Sequence, residues 1–170
     1  WAALGCAARG EYLTKLADAI EANKDEFAKL LTAEQGKPLK QATGEVIGGI
    51  YQLRHYAAQR MEPVTLRETD TARIIEHRTP LGVVAAITPW NFPFCVPVWK
   101  IAPALVAGNT IVFKPATLTP SCAEWVVKIF AEAGLPPGVL NLVFGSGSVV
   151  GDEFVNNPAI KAVSFTGSCE

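Results

Sequence analysis

Apolar positions recur every three to four residues through the first third of the chain, a spacing typical of amphipathic helices. The pattern predicts one helix over residues 9–32 and a second over residues 38–60. Gly36 between them suits a helix C-terminus, and Pro38 suits the first turn of the helix that follows. We expect the two helices to pack as an antiparallel pair.

A different period begins after Pro63, where apolar residues alternate with threonines and charged residues as far as residue 79. This period-two pattern around Asp70 predicts a β-hairpin or ribbon that is exposed. Two interpretations stay open for it. It is either an arm that packs on a partner subunit or a solvated hairpin at the edge of the fold.

From residue 81 onward, short apolar runs alternate with helical stretches. Strands that are apolar on both faces and alternate with helices indicate an α/β fold with a doubly wound parallel sheet. Two caps compete at the start of one helix: a capping box from Ser121 to Glu124, and Thr119 ahead of Pro120. The predicted strands cover residues 83–88, 110–114, 139–144 and 162–165, and the predicted helices cover residues 97–107, 120–133 and 148–156.

The composition bounds the possible partners. The 170 residues suit one domain or a domain with an attached element, and 49% hydrophobic residues can form a substantial core. A net charge of −1 gives no electrostatic reason to expect nucleic acid or an anionic membrane. No apolar run approaches bilayer length, and the first residues lack a secretory signal pattern. Because residue 1 is Trp1 rather than methionine, we expect the chain to begin inside a longer protein.

Four cysteines lie far apart without a CxxC pair, namely Cys6, Cys95, Cys122 and Cys169. This spacing argues against a disulfide framework or a structural zinc site, so we expect no metal. Each cysteine has small or apolar neighbours and is expected to be a small buried hydrophobe rather than a reactive thiol. The cysteine usage predicts a reducing compartment, and hence the cytoplasm.

Polar or glycine-rich segments follow the predicted strands, at residues 88–91, 114–117, 145–148 and 166–168. Ligands of an open parallel sheet bind beyond the carboxyl ends of its strands. Two of these segments can offer backbone N–H groups to phosphate, and one adds the cation Lys114, so the set indicates a dinucleotide. Singly, each has a plainer interpretation. Residues 145–151 can be a strand–helix turn, Lys114 a solvated charge and Asn91 a turn residue.

Five motifs in order connect this pattern to a known family: Thr-Pro-Trp-Asn-Phe-Pro, Trp-Lys-Ile-Ala-Pro-Ala-Leu, Gly-Asn-Thr-Ile-Val-Phe-Lys-Pro, Gly-Leu-Pro-Pro-Gly-Val-Leu-Asn and Ser-Phe-Thr-Gly-Ser. Through them the chain resembles the NAD(P)-dependent aldehyde dehydrogenase superfamily over essentially its whole length. Residues 34–39 and 44–46 are similar to that family as well.

The resemblance implies a Rossmann-like sheet that is incomplete at its C-terminus. Residues 1–62 would be the N-terminal helices of the cofactor domain, and residues 63–80 an oligomerisation arm. Residues 81–170 would be part of the NAD(P)-binding domain, with the catalytic domain absent.

The resemblance also implies a reaction. In the family a cysteine thiolate attacks an aldehyde, a hydride passes to the nicotinamide, and water hydrolyses the thioester to the acid. Asn91 matches the asparagine whose side-chain amide donates to the oxygen of the tetrahedral intermediate. Lys100 matches a buried lysine near the active site, and both a proton relay and a purely structural role stay open for it.

The residues implied for binding NADP or NAD are Trp90, Lys114, Ala116, Thr117, Gly147, Gly151, Thr166, Gly167 and Ser168. Lys114 matches the lysine that holds the adenosine ribose, and Ser168 a donor to the pyrophosphate. Thr117 stands where many NAD-preferring members carry a glutamate. A carboxylate there would repel a 2′-phosphate, whereas a hydroxyl beside Lys114 tolerates one. We therefore expect the full-length enzyme to use NADP at least comparably with NAD.

The family's nucleophilic cysteine and general-base glutamate lie downstream of the Phe-Thr-Gly-Ser turn, beyond the last residue of this chain. Cys95 and Cys169 do not stand in the nucleophile motif, and Glu170 belongs to the helix after the turn. The separate chain is therefore expected to be inactive. Two alternatives remain: a non-catalytic dinucleotide-binding or structural module, and a relative of acyl-CoA or acyl-phosphate reductases.

Substrate and assembly are predicted only broadly. Residues 113–116 and 145–147 look most like family members that act on semialdehydes, such as 2-oxoglutarate or succinate semialdehyde. The resemblance implies a small-molecule aldehyde as substrate and a homo-oligomer, dimer or tetramer, for the full-length protein. Neither nucleic acid nor membrane is expected as a partner.

Overall fold

The computed structural model describes residues 1–168. Three helices come first, followed by a two-stranded hairpin and then by alternating strands and helices. In chain order the elements are α1 (Cys6–Ala22), α2 (Lys24–Gln35), α3 (Leu39–Ala57), β1 (Val64–Glu68), β2 (Arg73–Glu76), β3 (Val83–Ile87), α4 (Cys95–Val106), β4 (Thr110–Lys114), α5 (Pro120–Glu132), β5 (Leu140–Leu142), α6 (Gly147–Asn156) and β6 (Ile160–Phe165).

The single helix predicted over residues 9–32 is wrong, because the chain breaks at Asn23 into α1 and α2. Asn23 has φ −112° and ψ 15°, and its side-chain amide donates to the Ala19 carbonyl at 2.8 Å. An asparagine that bonds the backbone in this way competes with the helical hydrogen bonds. Ile20 and Phe27 are both buried, so the apolar spacing continues across the break and does not reveal it.

The predicted parallel sheet is confirmed, with strand order β5-β4-β3-β6 and all neighbours parallel. The chain moves from β3 outward to β4 and β5, and then returns past β3 to add β6 on its other side. Crossovers between parallel strands are almost always right-handed, so a reversal of direction places the connecting helices on opposite faces. The sheet is therefore doubly wound, with its topological switch point between β3 and β6.

The main core lies on one face of this sheet. Helices α4 and α5 contact the strands, and α1, α2 and α3 pack over those two helices. Phe27 of α2 joins the layers, because its ring stacks on Trp125 at 4.0 Å and meets Phe94 edge-on at 5.0 Å. A Cβ at Gly49 would lie 2.2 Å from the Phe94 ring, so only glycine lets α3 approach the start of α4 this closely.

Helix α5 is capped by a residue that neither predicted cap included. Thr119 occupies the N-cap position, but its side chain makes no cap hydrogen bond. The Glu34 carboxylate at the end of α2 instead accepts from the N–H groups of Ser121 and Cys122, at 2.6 and 2.8 Å. The cap is supplied from a residue 87 positions away from Ser121, beyond the reach of a local motif.

The predicted hairpin is confirmed as an antiparallel pair of β1 and β2 with an irregular register between Thr65 and Arg67. Every residue of β1 is exposed, including Leu66. Within residues 1–168, no helix is long and apolar enough to cross a membrane.

Candidate functional site

The carboxyl ends of three strands meet at one edge of the sheet. Ile87 at the end of β3 pairs in register with Lys114 of β4 on one side and with Phe165 of β6 on the other. The segments that follow these strands therefore lie next to each other, although residues 88 and 166 are far apart in sequence. Ligands of open α/β sheets bind at such a switch point.

A groove of about 390 Å³ lies at this edge. It is lined by Ile87, Thr88, Pro89, Trp90, Lys114, Ala116, Thr117, Leu118, Gly147, Phe165, Thr166, Gly167 and Ser168. Eight of the nine predicted cofactor residues are in this lining, and Gly151 is not. An apolar groove of similar volume between α5 and β5 is lined by no side chain that could take part in chemistry.

Lys114 is buried, with 6% of its surface exposed, and its side chain lines the groove. Among the residues that the structure describes, no carboxylate forms an ion pair with it. A buried charge is costly unless a partner compensates it. The plainer interpretation of a solvated surface cation does not apply, and the geometry favours an anionic or hydroxyl-rich ligand at this point.

The start of α6 faces the same groove. Gly147 is the first residue of the helix, and the N-cap Ser146 accepts from the Val149 N–H at 3.2 Å. No atom would lie within 4 Å of a Cβ at Gly147 or at Gly151, which is one helical turn further on. The two glycines leave an open surface on α6, which a flat or bulky ligand can approach.

Asn91 stands just outside the groove, on the loop between β3 and α4. Its side chain is exposed and makes no hydrogen bond to any residue within 1–168. Its backbone carbonyl accepts from the Lys37 ammonium at 2.9 Å. The main chain of Asn91 is thus held while its amide stays available to a ligand.

Lys100 also lies outside the groove lining. Its ammonium donates to the Ser164 hydroxyl of β6 at 3.0 Å, which ties α4 to the sheet. Partial burial lowers the pKa of Lys100 below its ordinary value. This contact is compatible with both roles predicted for Lys100, a proton relay and a structural contact.

Two of the described cysteines, Cys95 and Cys122, lie in surroundings that disfavour the thiolate. Burial, followed by the negative charge of Glu45, raises the pKa of Cys95 to about 12. Burial also raises the pKa of Cys122, and the Glu34 carboxylate adds to this shift. Cys6 is half-buried and donates to the Gln59 carbonyl at 3.4 Å. The expectations stated above for Cys169 and Glu170 concern residues that lie outside the described part of the chain.

The structure adds two residues to the site that sequence reasoning did not assign. Lys37 and Glu45 form a buried ion pair that contacts the loop carrying Asn91. Both lie in the segments noted above for their likeness to the family, residues 34–39 and 44–46, but no role followed from the sequence. Within the part of the chain described, no cluster of three or more His, Cys, Asp or Glu residues could hold a metal.

A doubly wound sheet with a glycine-rich helix start and a cation at its switch point is typical of nucleotide-binding α/β proteins. The chain belongs to the aldehyde dehydrogenase family, whose model matches residues 1–170. The resemblance stated from the motifs is therefore confirmed.

The chain is 48% identical over 171 residues to the alpha-ketoglutaric semialdehyde dehydrogenase of Bacillus subtilis (strain 168), covering 99% of this chain and 35% of that protein. It is 49% identical over 173 residues to the 2,5-dioxopentanoate dehydrogenase of Saccharolobus solfataricus, covering 100% and 36%. The chain thus spans about a third of the length of these curated relatives.

Solved structures agree with this assignment. An aldehyde dehydrogenase from Brucella melitensis biovar abortus 2308 superposes with a TM-score of 0.94 at 42% identity, covering 99% of this chain and 35% of that one. The glyceraldehyde-3-phosphate dehydrogenase GapN from Methanocaldococcus jannaschii, solved in complex with NADP, gives a TM-score of 0.91 at 38% identity, covering 98% and 38%.

Proposed function

We propose that the protein containing this chain oxidises an aldehyde to the carboxylic acid with NADP or NAD, and that residues 1–168 supply its cofactor groove and oxyanion donor. Family membership supports the reaction class. The observation that carries the cofactor role is the buried Lys114, which lines the switch-point groove without an ion-pair partner among the described residues.

The groove suits a dinucleotide in shape and in charge. Lys114 and Thr117 lie on one side, after β4, where they would contact the adenosine ribose. Thr166, Gly167 and Ser168 follow β6 and would bind the pyrophosphate through backbone and hydroxyl donors, opposite the start of α6 at Gly147. When bound, the nicotinamide supplies the acceptor for the hydride.

Asn91 would donate to the oxygen on which negative charge develops during the reaction. A fixed amide in a desolvated site stabilises such an oxyanion, and loss of one donor typically costs about 2.7–4 kcal/mol of activation free energy. The free side chain and anchored backbone of Asn91 suit this role. Lys100 would hold α4 against β6 through Ser164 or relay a proton nearby.

A semialdehyde is the substrate class we propose. Support comes from two relatives at 48% and 49% identity, whose names specify alpha-ketoglutaric semialdehyde and 2,5-dioxopentanoate. Comparing kcat/KM for a semialdehyde with that for an uncharged aldehyde of equal chain length tests the choice. Equal values would contradict it.

We further propose that the protein is a homo-oligomer in which the hairpin of β1 and β2 packs on another copy. Exposed apolar side chains support this, since Leu66 and Ile74 are 62% and 51% accessible. The oligomeric state of a hairpin variant is the measurement that decides it.

The experiment on Lys114 tests the cofactor role most directly. Lys114→Met in the full-length protein is expected to raise KM for the cofactor by about 10- to 100-fold, since hydrogen bonds to charged groups contribute about 1.5–3 kcal/mol. KM for the aldehyde should stay close to its original value. Lys128→Met is the matched control, because Lys128 is an exposed lysine of α5 that does not line the groove. An unchanged cofactor KM in Lys114→Met would contradict the proposal.

A further inference from the structure

The segment of residues 91–95, which leads from the loop after β3 into the first residue of α4, is held by two side chains from the helical layer. We call this segment the Asn91 loop. Lys37 lies in the connection between α2 and α3, and Glu45 lies one and a half turns into α3. Their contacts with the loop span about 50 residues of sequence.

Lys37 and Glu45 form an ion pair whose side chains are 8% and 1% exposed. The second oxygen of Glu45 accepts from the N–H groups of Phe94 and Cys95, at 2.9 and 3.1 Å. Lys37 donates in turn to the backbone carbonyl of Asn91 at 2.9 Å. The pair thus forms hydrogen bonds with the backbone at both ends of the Asn91 loop.

Every polar atom of the pair that faces the loop has a partner, which is the condition under which a buried ion pair is tolerated. The Phe94 side chain, at the N-cap position of α4, makes no cap hydrogen bond, so Glu45 takes over this capping role. The ammonium of Lys37 also lies 4.5 Å from the centre of the Phe92 ring. Four of the five residues in the loop, all except Pro93, therefore contact this pair.

These contacts reach the backbone of Asn91 and leave its side chain free of hydrogen bonds within residues 1–168. A donor lowers an activation barrier only if it is already aimed at the oxygen when charge develops. Misplacement by about 1 Å can cost about a hundredfold in rate.

We propose that Lys37 and Glu45 are positioning residues, which orient the Asn91 amide for the aldehyde oxygen. This inference rests on the proposed function, because it assigns Asn91 the oxyanion role. Lys37 acts on the Asn91 carbonyl directly, and Glu45 fixes the same loop through Phe94 and Cys95 while neutralising Lys37.

The kinetic test uses the full-length protein with Lys37→Met. We expect kcat for aldehyde oxidation to fall by about 10- to 100-fold, as for a misplaced catalytic group. KM for the cofactor should change by less than about twofold, because the cofactor groove does not include Lys37. Lys37→Arg, which keeps the charge and a donor, should recover most of the lost rate. Arg54→Met, which removes the exposed ion pairs of Arg54 on α3 with Asp18 and Glu21 of α1, is the matched control and should leave kcat unchanged.

A double variant separates positioning from general damage. Added to Asn91→Ala, Lys37→Met should lower kcat by no more than about twofold further, because its effect passes through the missing amide. Losses that multiply in the double variant, or a cofactor KM that rises as much as kcat falls, would overturn the inference.

Amide hydrogen exchange gives a reading that does not need activity. In Glu45→Ala, the Phe94 and Cys95 amides of the full-length protein should exchange at least about tenfold faster, because they lose their acceptor. Glu45→Gln keeps a side-chain oxygen as acceptor and should therefore retain slow exchange. This variant serves as the control if Glu45→Ala fails to fold. If Asn91→Ala leaves aldehyde oxidation intact, the proposed function fails. If the Phe94 and Cys95 amides exchange no faster in Glu45→Ala, the anchoring of the loop by Glu45 is overturned, whatever the outcome for the proposed function.

Discussion

Lys114 is a cation that the fold buries at the end of β4 without an ion-pair partner among residues 1–168. Leaving such a group unpaired opposes folding, and natural proteins retain this cost chiefly where a ligand compensates it. Thr117, three residues later, lines the same groove and carries no charge. The electrostatics of this side of the groove are therefore positive, which suits a phosphate as well as a ribose hydroxyl.

Thr117→Glu is expected to turn the full-length protein toward NAD. A carboxylate about 4 Å from a phosphate costs about 1–4 kcal/mol, so kcat/KM with NADP should fall by about 5- to 700-fold while the value with NAD is kept or rises. Thr117→Gln has nearly the same size without the charge and should keep the original preference. Steady-state kinetics with both cofactors under equal conditions provide the measurement. A preference for NAD above about a hundredfold in the unaltered protein would refute the NADP expectation.

At the scale of elements, the end of α2 and its connection to α3 contact two segments beside the site. Glu34 holds the start of α5, directly after the Lys114–Thr119 turn, and Lys37 holds the Asn91 loop. One short segment of the helical layer thus contacts both the start of α5 and the loop that carries Asn91, the two places where we propose cofactor binding and oxyanion stabilisation. This explains how helices that line no part of the groove can affect its chemistry.

The Glu34 cap makes α5 sensitive to acid. Burial alone would raise the pKa of Glu34, but hydrogen bonds from Cys122 and Ser121 outweigh it and hold the pKa below the ordinary 4.5. The stabilisation is therefore complete above pH 4.5 and is lost as the pH falls through the lowered pKa.

Glu34→Ala should lower the free energy of unfolding by about 1 kcal/mol at pH 7, as for loss of an N-cap. Because Glu34 is partly exposed, the gain from its charge is smaller than in a buried pair. Glu34→Gln retains an acceptor and should lose less at neutral pH, while its stability should vary less below about pH 4.5. Urea titrations at several pH values measure both effects. The same pH profile in the unaltered protein and in the Glu34→Gln variant would contradict this account.

The hairpin offers a second test at this scale. Replacing the exposed Leu66 and Ile74 together by aspartate should reduce the oligomeric state of the full-length protein, because it places charge on an apolar contact surface. Thr71→Asp at the exposed turn is the control and should leave assembly unchanged. Sedimentation velocity distinguishes the species. An unchanged oligomer in the double variant would favour a solvated hairpin instead.

At the scale of the whole molecule, the chain forms a groove at the switch point of its sheet, and burial raises the pKa of both Cys95 and Cys122. If the groove binds the cofactor as proposed, we expect this chain to bind it without oxidising an aldehyde.

The separate 170-residue chain is expected to show no aldehyde oxidation, even if it binds NADP or NAD weakly in a calorimeter. Because apolar residues around the groove, such as Trp90 and Phe165, are exposed in this chain, we expect it to bind the cofactor more weakly than the full-length protein does. Spectrophotometry of cofactor reduction measures turnover. Oxidation that persists at the same rate after Asn91→Ala would contradict the mechanism proposed for this family member.

The sequence alone determined the order of elements, apart from the break at Asn23, and the edge of the sheet at which the groove lies. Periodicity reports local burial, and the ends of parallel strands meet at one edge, so Thr88, Lys114 and Thr166 could be assigned to one site without coordinates. The sequence motifs also identified the family without coordinates, because each motif consists of residues that are close in sequence.

Only the tertiary structure decided the contacts that cross between layers. The break at Asn23 leaves the apolar spacing intact. The caps of α4 and α5 are the carboxylates of Glu45 and Glu34, which lie 49 and 87 residues before the N–H groups from which they accept hydrogen bonds. A carboxylate that caps a distant helix has no local pattern, because its partner is chosen by packing. Packing also buries Lys114 without an ion-pair partner among the described residues, and it places Lys37 against the carbonyl of Asn91. These contacts define the geometry of the site, which the motifs alone do not.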